Sequence, residues 1–351
     1  MSTKTLIAHT LLDVLYYSNA YRLLEDKYQG VGVILTLHHV VKASDSSPFR
    51  INRLLEITPE FLEQTIQQVI ALGYEIVSLD EMHQRLLNQQ FEHRFICFTL
   101  DDGYIDNYQN AFPIFKKYNV PFTIYVTTGI TEGTAILWWR CLEKIILKEN
   151  QIELEMNGKD ECFETKSLTQ KQGVFNQLYW YLRNMALKQQ HTVIFALAEK
   201  YHLSIEELCL NCAMSWEMLK ELAQSPLATI GTHTVNHLAL AKLPIADVKN
   251  EAILCRDKLS QHLQIDANHF CYPYGDEASA SNREFNIIED LGFKTATTTR
   301  KQVIRAEHSK QLFELPRIPL NGHYQQQRYV RLLLSGVPTG LWESTKRFLK
   351  R

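Results

Sequence analysis

Two adjacent aspartates occur in a position where a divalent metal ion could bind. Asp101 and Asp102 directly follow the apolar run 95–100, and Gly103 then turns the chain. Neighbouring carboxylates at the end of a buried strand repel each other and are costly to desolvate, and a bound cation would remove that cost. The alternative is that the pair caps the helix that follows.

Two histidines form a second pair, just beyond another apolar run. The i, i+4 spacing of His233 and His237 lets both imidazoles face one ion if the segment turns helically. Two histidines with one carboxylate are a common ligand set of catalytic zinc, which leaves one position open for water. An H-x-x-x-H pattern alone is weak evidence in a chain with 13 histidines. The predicted metal site therefore depends on the histidine pair meeting the aspartate pair.

The aspartate pair and the histidine pair can meet only in a fold that brings the ends of several strands together. Apolar runs alternate with helical patterns along the chain, which is typical of parallel βα units. The predicted strands are 31–37, 95–100, 121–127, 228–231, 269–274, 294–299 and 315–320. About seven such strands approach a closed barrel, in which chemistry takes place where strands end and loops begin. We therefore predict an α/β barrel that brings both pairs to one face.

Two segments depart from this alternation. A helix over about residues 6–28 precedes the first strand, and its apolar side indicates either docking on the core or contact with a membrane surface. Helical patterns dominate from about 131 to 225, after which strands and helices alternate again. We expect a single domain over residues 1–351 with a helical insertion at 131–225, rather than two domains.

Composition excludes several classes of protein. Hydrophobic residues make up 45% and charged residues 22%, and the net charge of −2 gives no electrostatic argument for a nucleic-acid partner. No apolar run reaches the roughly 18 residues of a transmembrane segment. The N-terminal run is interrupted by His9 and Asp13 and lacks the cleavage site of a signal peptide. We expect a cytoplasmic protein, with peripheral contact with the inner membrane as an alternative.

Three motifs resemble those of the polysaccharide deacetylases, the NodB-type carbohydrate esterase family. The sequence Phe-Thr-Leu-Asp-Asp-Gly at 98–103 looks like the T-F-D-D-G motif of that family. Residues 231–237 resemble its H-[ST]-x-x-x-H metal motif, and residues 270–275 are similar to its R-x-P-Y-G motif. The three occur in the order found in the family, and the resemblance covers roughly residues 31–320.

The resemblance implies a fold, a metal and a reaction. The fold would be a distorted (β/α)₇ barrel, with Asp101 as the base and with Asp102, His233 and His237 as metal ligands. The expected metal is Zn²⁺, with Co²⁺, Ni²⁺ or Fe²⁺ as alternatives. The reaction would remove an N-acetyl group from an amino sugar in a polysaccharide, glycolipid or sugar-nucleotide precursor and release acetate.

The third motif departs from the family pattern. Cys271 stands where the family often has an arginine that orients the base. Arg317, near another strand end, is expected to supply that charge, and its alternative role is an ordinary salt bridge at the barrel rim. Pro273 and Tyr274 match the motif, and the resemblance implies that the Tyr274 backbone N–H donates to the oxyanion.

The general acid is not identified by its usual motif, because no C-terminal L-x-H sequence is evident. The strand end Leu-His-His-Val at 37–40 resembles a Y-H-x-[IV] motif of circularly permuted members. This favours His38 as the acid over His39, with His323 as a weaker candidate. The remaining alternative is that His38 and His39 are rim residues without a catalytic role.

Two other functions stay open at this stage. One is hydrolysis of another amide, such as a formyl-amino sugar or a small cyclic amide. The other is a catalytically silent relative that binds carbohydrate. Tryptophans of the insertion are candidates for stacking on sugar rings, although such residues often pack in the core; they are Trp138, Trp139, Trp180 and Trp216.

Overall fold

The structure, a computed structural model, describes residues 3–45, 49, 51–156 and 158–349. The strands are β1 (Gly32–Leu37), β2 (His39–Val40), β3 (Glu56–Ile57), β4 (Glu75–Ile76), β5 (Phe95–Leu100), β6 (Phe122–Val126), β7 (Gln151–Met156), β8 (Lys159–Glu164), β9 (Ala228–Thr232), β10 (His269–Cys271), β11 (Thr295–Thr297) and β12 (Ile318–Pro319). The helices are α1 (Thr3–Tyr17), α2 (Ala20–Tyr28), α3 (Pro59–Ala71), α4 (Leu79–Asn88), α5 (Phe112–Tyr118), α6 (Thr128–Thr131), α7 (Trp138–Lys148), α8 (Leu168–Asn184), α9 (Leu187–Lys200), α10 (Ile205–Cys212), α11 (Trp216–Ala223), α12 (Ile245–Leu263), α13 (Asn282–Asp290), α14 (Gln327–Leu334) and α15 (Val337–Leu349).

A curled parallel sheet forms the centre of the fold. Its strand order is β11-β10-β9-β6-β5-β1-β12, and the short β4 pairs with the start of β5. Both faces of β1, β5 and β6 are buried, which explains why these strands are continuous apolar runs. The seven strands predicted from the sequence are all present, and the distorted (β/α)₇ barrel is confirmed.

Hydrogen bonds connect β11, at one edge of the sheet, to the segment that precedes β12, at the other edge. The backbone N–H groups of Ala296 and Thr298, on and after β11, donate to the carbonyls of Leu312 and Leu315 at 2.8 and 2.9 Å. This segment leads directly into β12, which pairs with β1. The carboxyl ends of the parallel strands therefore face a common centre.

The N-terminal segment forms two helices instead of the single helix expected over 6–28. Asn19 adopts a left-handed conformation, with a φ of 57°, between α1 and α2. That conformation interrupts the helix because L-residues adopt it as single residues and not as runs. Tyr21 and Tyr28 of α2 are buried against Tyr329 and its neighbours on α14 and α15. Among the described residues, none of the helices combines the length and apolar content needed to cross a bilayer.

The inserted segment at 131–225 contains helices α7 to α11 and also an antiparallel hairpin. The hairpin pairs β7 with β8, so the expectation of a helical insertion is incomplete. Ile152 is the buried side chain of β7, and its polar neighbours on either side are exposed. This alternation is the signal of a half-buried strand. The insertion has its own apolar cluster, which includes Trp138, Leu142 and Leu178.

Candidate active site

Asp102, His233 and His237 converge at the carboxyl ends of β5 and β9. Asp102 Oδ1 lies 3.2 Å from Nε2 of His233 and 3.2 Å from Nε2 of His237. All three side chains are buried, and their candidate ligand atoms lie within 4.8 Å of one another. Ligands at zinc bond lengths around a tetrahedral ion are roughly 3.3 Å apart. The spacing of these atoms therefore fits one tetrahedral cation.

The hydrogen bonds of these residues also fit a cation. Asp102 Oδ1 is buried and has no hydrogen-bond partner in the part of the chain that the structure describes. An unsatisfied buried carboxylate oxygen is costly, and a metal ion would satisfy it. His233 Nδ1 lies 2.7 Å from the Cys271 carbonyl, to which it donates as N–H. The Nε2 lone pair of His233 is then available on the side of Asp102, as is usual for metal-binding histidines.

The histidine pair meets through a strained turn instead of the helical turn that the spacing suggested. Asp102, Thr234, His237 and Tyr274 have φ values of 78°, 65°, 55° and 64°. Such left-handed conformations of non-glycine residues cost about 1–3 kcal/mol each and concentrate at functional sites. Four of them around one point indicate that the fold holds this region in a fixed geometry.

Glu251 of α12 holds the turn between the two histidines. Its Oε2 accepts hydrogen bonds from the backbone N–H groups of Val235 and Asn236, at 3.0 and 2.8 Å. Its Oε1 accepts a third bond from the Asn236 side-chain amide at 2.6 Å. Glu251 is itself buried. Sequence reasoning missed this residue, because it lies on a distant helix and carries no motif.

Asp101 forms a buried ion pair with Arg317, which follows the segment that closes the barrel. Arg317 Nη1 and Nη2 donate to the two carboxylate oxygens of Asp101, at 2.7 Å each. Burial by itself would raise the pKa of Asp101, but the Arg317 guanidinium lowers it below its ordinary value. Arg317 also contacts Cys271 Sγ at 3.1 Å. The charge that the third motif lacks therefore comes from Arg317.

The three candidate acids lie in different surroundings. His38 Nε2 is 3.8 Å from Asp101 Oδ2, and the side chain lines the same cavity as Asp102, His233 and His237. Burial lowers the pKa of His38. His39 instead lies 2.7 Å from Asp106 and stacks on Tyr104. His323 is not among the residues that line the cavity. Position therefore favours His38.

A second group of possible ligands is less suited to a cation. Asp101, His233 and Cys271 also have ligand atoms within 4.8 Å of one another. Both oxygens of Asp101 are occupied by Arg317, whose positive charge repels a cation at this point. The set with Asp102 has no such charge against it.

Tyr274 is held by two residues of the insertion. Trp138 Nε1 donates to the Tyr274 hydroxyl at 2.9 Å, and the Arg183 guanidinium lies 3.9 Å from the centre of the Tyr274 ring. The ring of Tyr274 meets the His237 imidazole edge-on, with 4.9 Å between centroids. The preceding Pro273 is buried. The insertion therefore packs, through Tyr274, against His237.

A family model for polysaccharide deacetylases matches residues 88–296. The chain belongs to the polysaccharide deacetylase family. A stretch of 55 residues is 36% identical to the "Putative polysaccharide deacetylase YxkH" of Bacillus subtilis, and it spans 15% of this chain and 20% of that protein. The chain thus matches about a fifth of the length of this curated relative.

Solved structures of other proteins share the fold. The Streptococcus pyogenes deacetylase PplD superimposes with a TM-score of 0.57 at 20% identity, over 86% of this chain and 97% of that one. IcaB from Ammonifex degensii gives a TM-score of 0.53 at 18% identity, over 86% of this chain and 97% of that one. At these identities the likeness establishes the barrel and not the substrate.

In this member of the polysaccharide deacetylase family, a cavity of about 410 Å³ is lined by Asp102, His233 and His237. The insertion forms one of its walls, through Trp139, Phe175, Asn176, Tyr179, Trp180 and Arg183. Ile51, Asn52, Leu54 and Leu55 line it as well. Sequence reasoning missed these wall residues apart from two tryptophans, because their positions depend on how the insertion packs.

The four tryptophans of the insertion have different environments. Trp138 and Trp139 are buried, and the Trp139 ring packs at 4.8 Å from the His237 ring. Trp216 stacks on His262 at 4.0 Å and does not line the cavity. Trp180 lines the cavity and is 61% exposed.

Proposed function

We propose that this protein is a metal-dependent carbohydrate de-N-acetylase, which hydrolyses the N-acetyl group of an amino sugar and releases acetate. One observation carries the proposal. A buried Asp-His-His set, an arginine-paired carboxylate and a histidine all line one end of the same cavity. These groups would serve as the metal ligands, the base and the acid of amide hydrolysis.

Asp102, His233 and His237 would hold the cation. Zinc is the expected ion because it takes nitrogen and carboxylate ligands in tetrahedral sites, and Co²⁺, Ni²⁺ or Fe²⁺ could use the same ligands. When bound, such an ion supplies acidity to a water molecule and polarises the acyl oxygen. Asp102 Oδ1 is buried and accepts no hydrogen bond from the described residues, which favours a cation there.

Asp101 would accept the proton of the attacking water. The Arg317 ion pair keeps Asp101 ionised at neutral pH, and it also fixes the orientation of the carboxylate. Burial keeps His38 neutral at that pH, so His38 must gain a proton before it can act as an acid. The 3.8 Å between Asp101 Oδ2 and His38 Nε2 is longer than a hydrogen bond, so the proton would reach His38 through a shared water molecule or after the two side chains approach, and would then pass to the leaving amine.

Tyr274 would contribute its backbone N–H to the developing oxyanion. Its positive φ turns the backbone at this point, and the contacts with Trp138 and Arg183 hold the Tyr274 side chain in place. A donor that is already in position does not have to reorganise during the reaction. Pro273 would restrict the same turn, because its ring limits the backbone.

The substrate class follows from family membership, and the carrier of the sugar stays a prediction. We propose an N-acetylated amino sugar in a polysaccharide, glycolipid or sugar-nucleotide precursor. A cytoplasmic location, with or without peripheral membrane contact, also stays a prediction.

Acetate release from a panel of N-acetyl and N-formyl sugars tests the proposal. We expect acetate from N-acetyl sugars, loss of activity with a chelator, and recovery when Zn²⁺ or Co²⁺ is added. Release of formate without acetate would favour the alternative substrate, a formyl-amino sugar. Binding of the sugars without hydrolysis under any metal condition would indicate a silent relative.

A further inference from the structure

The outer face of α1 is apolar along the length of the helix. Positions 6, 7, 10, 11, 14 and 17 fall on one side, because residues three, four and seven apart share a helix face. Five of the six side chains are large, apolar and more than half exposed: Leu6, Ile7, Leu11, Val14 and Tyr17, at 60%, 56%, 65%, 61% and 68%. Single exposed apolar residues are common, but a continuous group of them marks a contact surface. We call these five side chains the α1 stripe.

The opposite face of α1 is already packed on the protein. Leu12, Leu15 and Tyr16 pack against the buried cluster that contains Tyr21 and Tyr329. A helix that is apolar on both sides is normally enclosed on both sides. The α1 stripe is not covered by the described residues, so it is suited to a contact outside the chain.

The helix α15, which lies near α1 and α2, is positively charged. The segment 337–351 contains four basic residues and one acidic residue, whereas the whole chain has a net charge of −2. α15 packs on α2, where the Tyr28 ring lies against Gly340 and the Tyr28 hydroxyl is 3.5 Å from Ser344 Oγ. The basic segment is therefore joined to the same group of helices as the α1 stripe.

The acidic residues of α1 and α2 do little to offset this charge. Asp13 of α1 pairs with Arg328 at 2.7 Å, and Glu25 of α2 pairs with Arg331 at 2.7 Å. Asp26 is the acidic residue of these two helices that has no ion pair among the described residues. The group of helices thus combines an exposed apolar face with an excess of positive charge.

This combination favours an anionic bilayer over a second copy of the chain. A symmetric dimer through the α1 stripe would bring two basic segments 337–351 towards each other. The stripe has five side chains, fewer than the roughly 20–30 residues that each partner of a stable dimer contributes. Helices that lie in a membrane surface insert one apolar face, and basic side chains beside them attract anionic headgroups.

The first half of α1 is connected to the wall of the cavity. The His9 ring stacks on Tyr324, in the loop that follows β12, with 4.5 Å between centroids. In the same loop, the Gly322 backbone N–H donates to the Leu54 carbonyl at 3.4 Å. Leu54 lines the cavity and is 46% exposed. Two contacts therefore separate the helix that carries the stripe from the cavity wall.

We propose that the α1 stripe docks on the surface of an anionic bilayer, with the segment 337–351 supplying electrostatic attraction. One part of the inference rests on the proposed deacetylase function: the amino sugar is carried by a lipid of that bilayer. Docking through α1 brings the cavity wall close to the headgroups. The sugar then reaches the cavity while its lipid chain stays in the membrane.

Sedimentation with lipid vesicles tests the docking surface. The wild-type protein should bind vesicles of equal parts phosphatidylcholine and phosphatidylglycerol at least about tenfold more tightly than phosphatidylcholine alone. Leu11→Gln/Val14→Gln, the α1 variant, should bind the anionic vesicles at least about tenfold more weakly, because two inserted apolar side chains are lost. Ile245→Gln/Leu254→Gln is the matched control on α12, where both residues are 52% exposed, and it should bind as the wild type does.

Three results would overturn the docking surface. The first is equal binding of anionic vesicles by the α1 variant and the wild type. The second is equal binding of the two kinds of vesicle by the wild type. The third is a dimer in analytical ultracentrifugation that the α1 variant dissociates, because the stripe would then belong to an interface with a second copy.

Acetate release separates the docking surface from the proposed reaction. The substrates are a lipid-linked N-acetylglucosamine in the anionic vesicles and the soluble N-acetylglucosamine trimer. The α1 variant should lower kcat/KM for the lipid-linked sugar at least about tenfold and leave any activity on the trimer unchanged. An equal loss on both substrates, or acetate from the trimer alone, would overturn the lipid-borne substrate. If neither substrate releases acetate, the deacetylase proposal fails, and vesicle binding still decides the docking surface.

Discussion

Arg317 donates to both carboxylate oxygens of Asp101, each at 2.7 Å, although the two residues are 216 positions apart in the sequence. Arg317 is fully buried and Asp101 is 2% exposed. Bidentate pairs of this kind fix the plane of the carboxylate as well as its charge. Cys271, at the position where the related motif carries an arginine, contacts the same guanidinium. The charge is thus supplied by the last strand segment and not by the third motif.

Arg317→Lys should shift the acid limb of the pH–rate profile to higher pH. A lysine keeps the charge but cannot reproduce the two parallel bonds, so the pKa of Asp101 should rise towards the value that burial favours. A base with a raised pKa is protonated, and therefore inactive, over a wider acidic range. The measurement is kcat/KM for acetate release across pH. Arg300→Lys, which alters the half-buried Arg300–Glu314 pair, should leave the limb in place. An unshifted limb in Arg317→Lys would contradict the account.

His38→Ala should lower kcat about 10²-fold and leave metal binding intact, because general acids typically contribute rate factors of that order. The matched control is His39→Gln at the next residue. His39 lies against Asp106 and Tyr104, so its replacement should have a much smaller effect on kcat. Rates and metal content of the purified variants check both statements. Loss of metal from His38→Ala would make His38 a ligand instead of an acid.

Glu251→Ala should weaken metal binding without removing a ligand. The variant loses three hydrogen bonds to Val235 and Asn236, which hold the turn between His233 and His237. Loss of such supporting contacts typically lowers metal affinity about 10–100-fold. Glu251→Gln keeps one carbonyl acceptor and should lose less. Competition with a zinc-binding dye measures the affinities, and equal affinity in Glu251→Ala and wild type would show that the turn does not need this support.

The strand ends were predictable because each motif is local. The buried run before Asp101 is the clearest case, because it has the apolar pattern of a parallel strand and the two aspartates follow it directly. The order of the motifs then indicated the barrel. Arg317 was found as the missing charge only because it also lies next to a strand.

The walls of the site were not predictable, because they depend on packing between distant segments. Trp180 and Arg183 reach the cavity only because α8 packs beside Tyr274. Glu251 acts through a turn that is 15 residues away in the sequence. The hairpin at 151–164 was missed because its alternation is short and lies between strong helical patterns.

The most direct test of the central claim is acetate release by Asp101→Asn that holds a full complement of metal. The substitution removes the negative charge of the proposed base and leaves Asp102, His233 and His237 unchanged. With N-acetylglucosamine oligomers as substrate, we predict about one metal ion per chain in both proteins and a kcat at least about 10²-fold lower in Asp101→Asn. A metal-loaded Asp101→Asn variant that releases acetate at the wild-type rate would contradict the account.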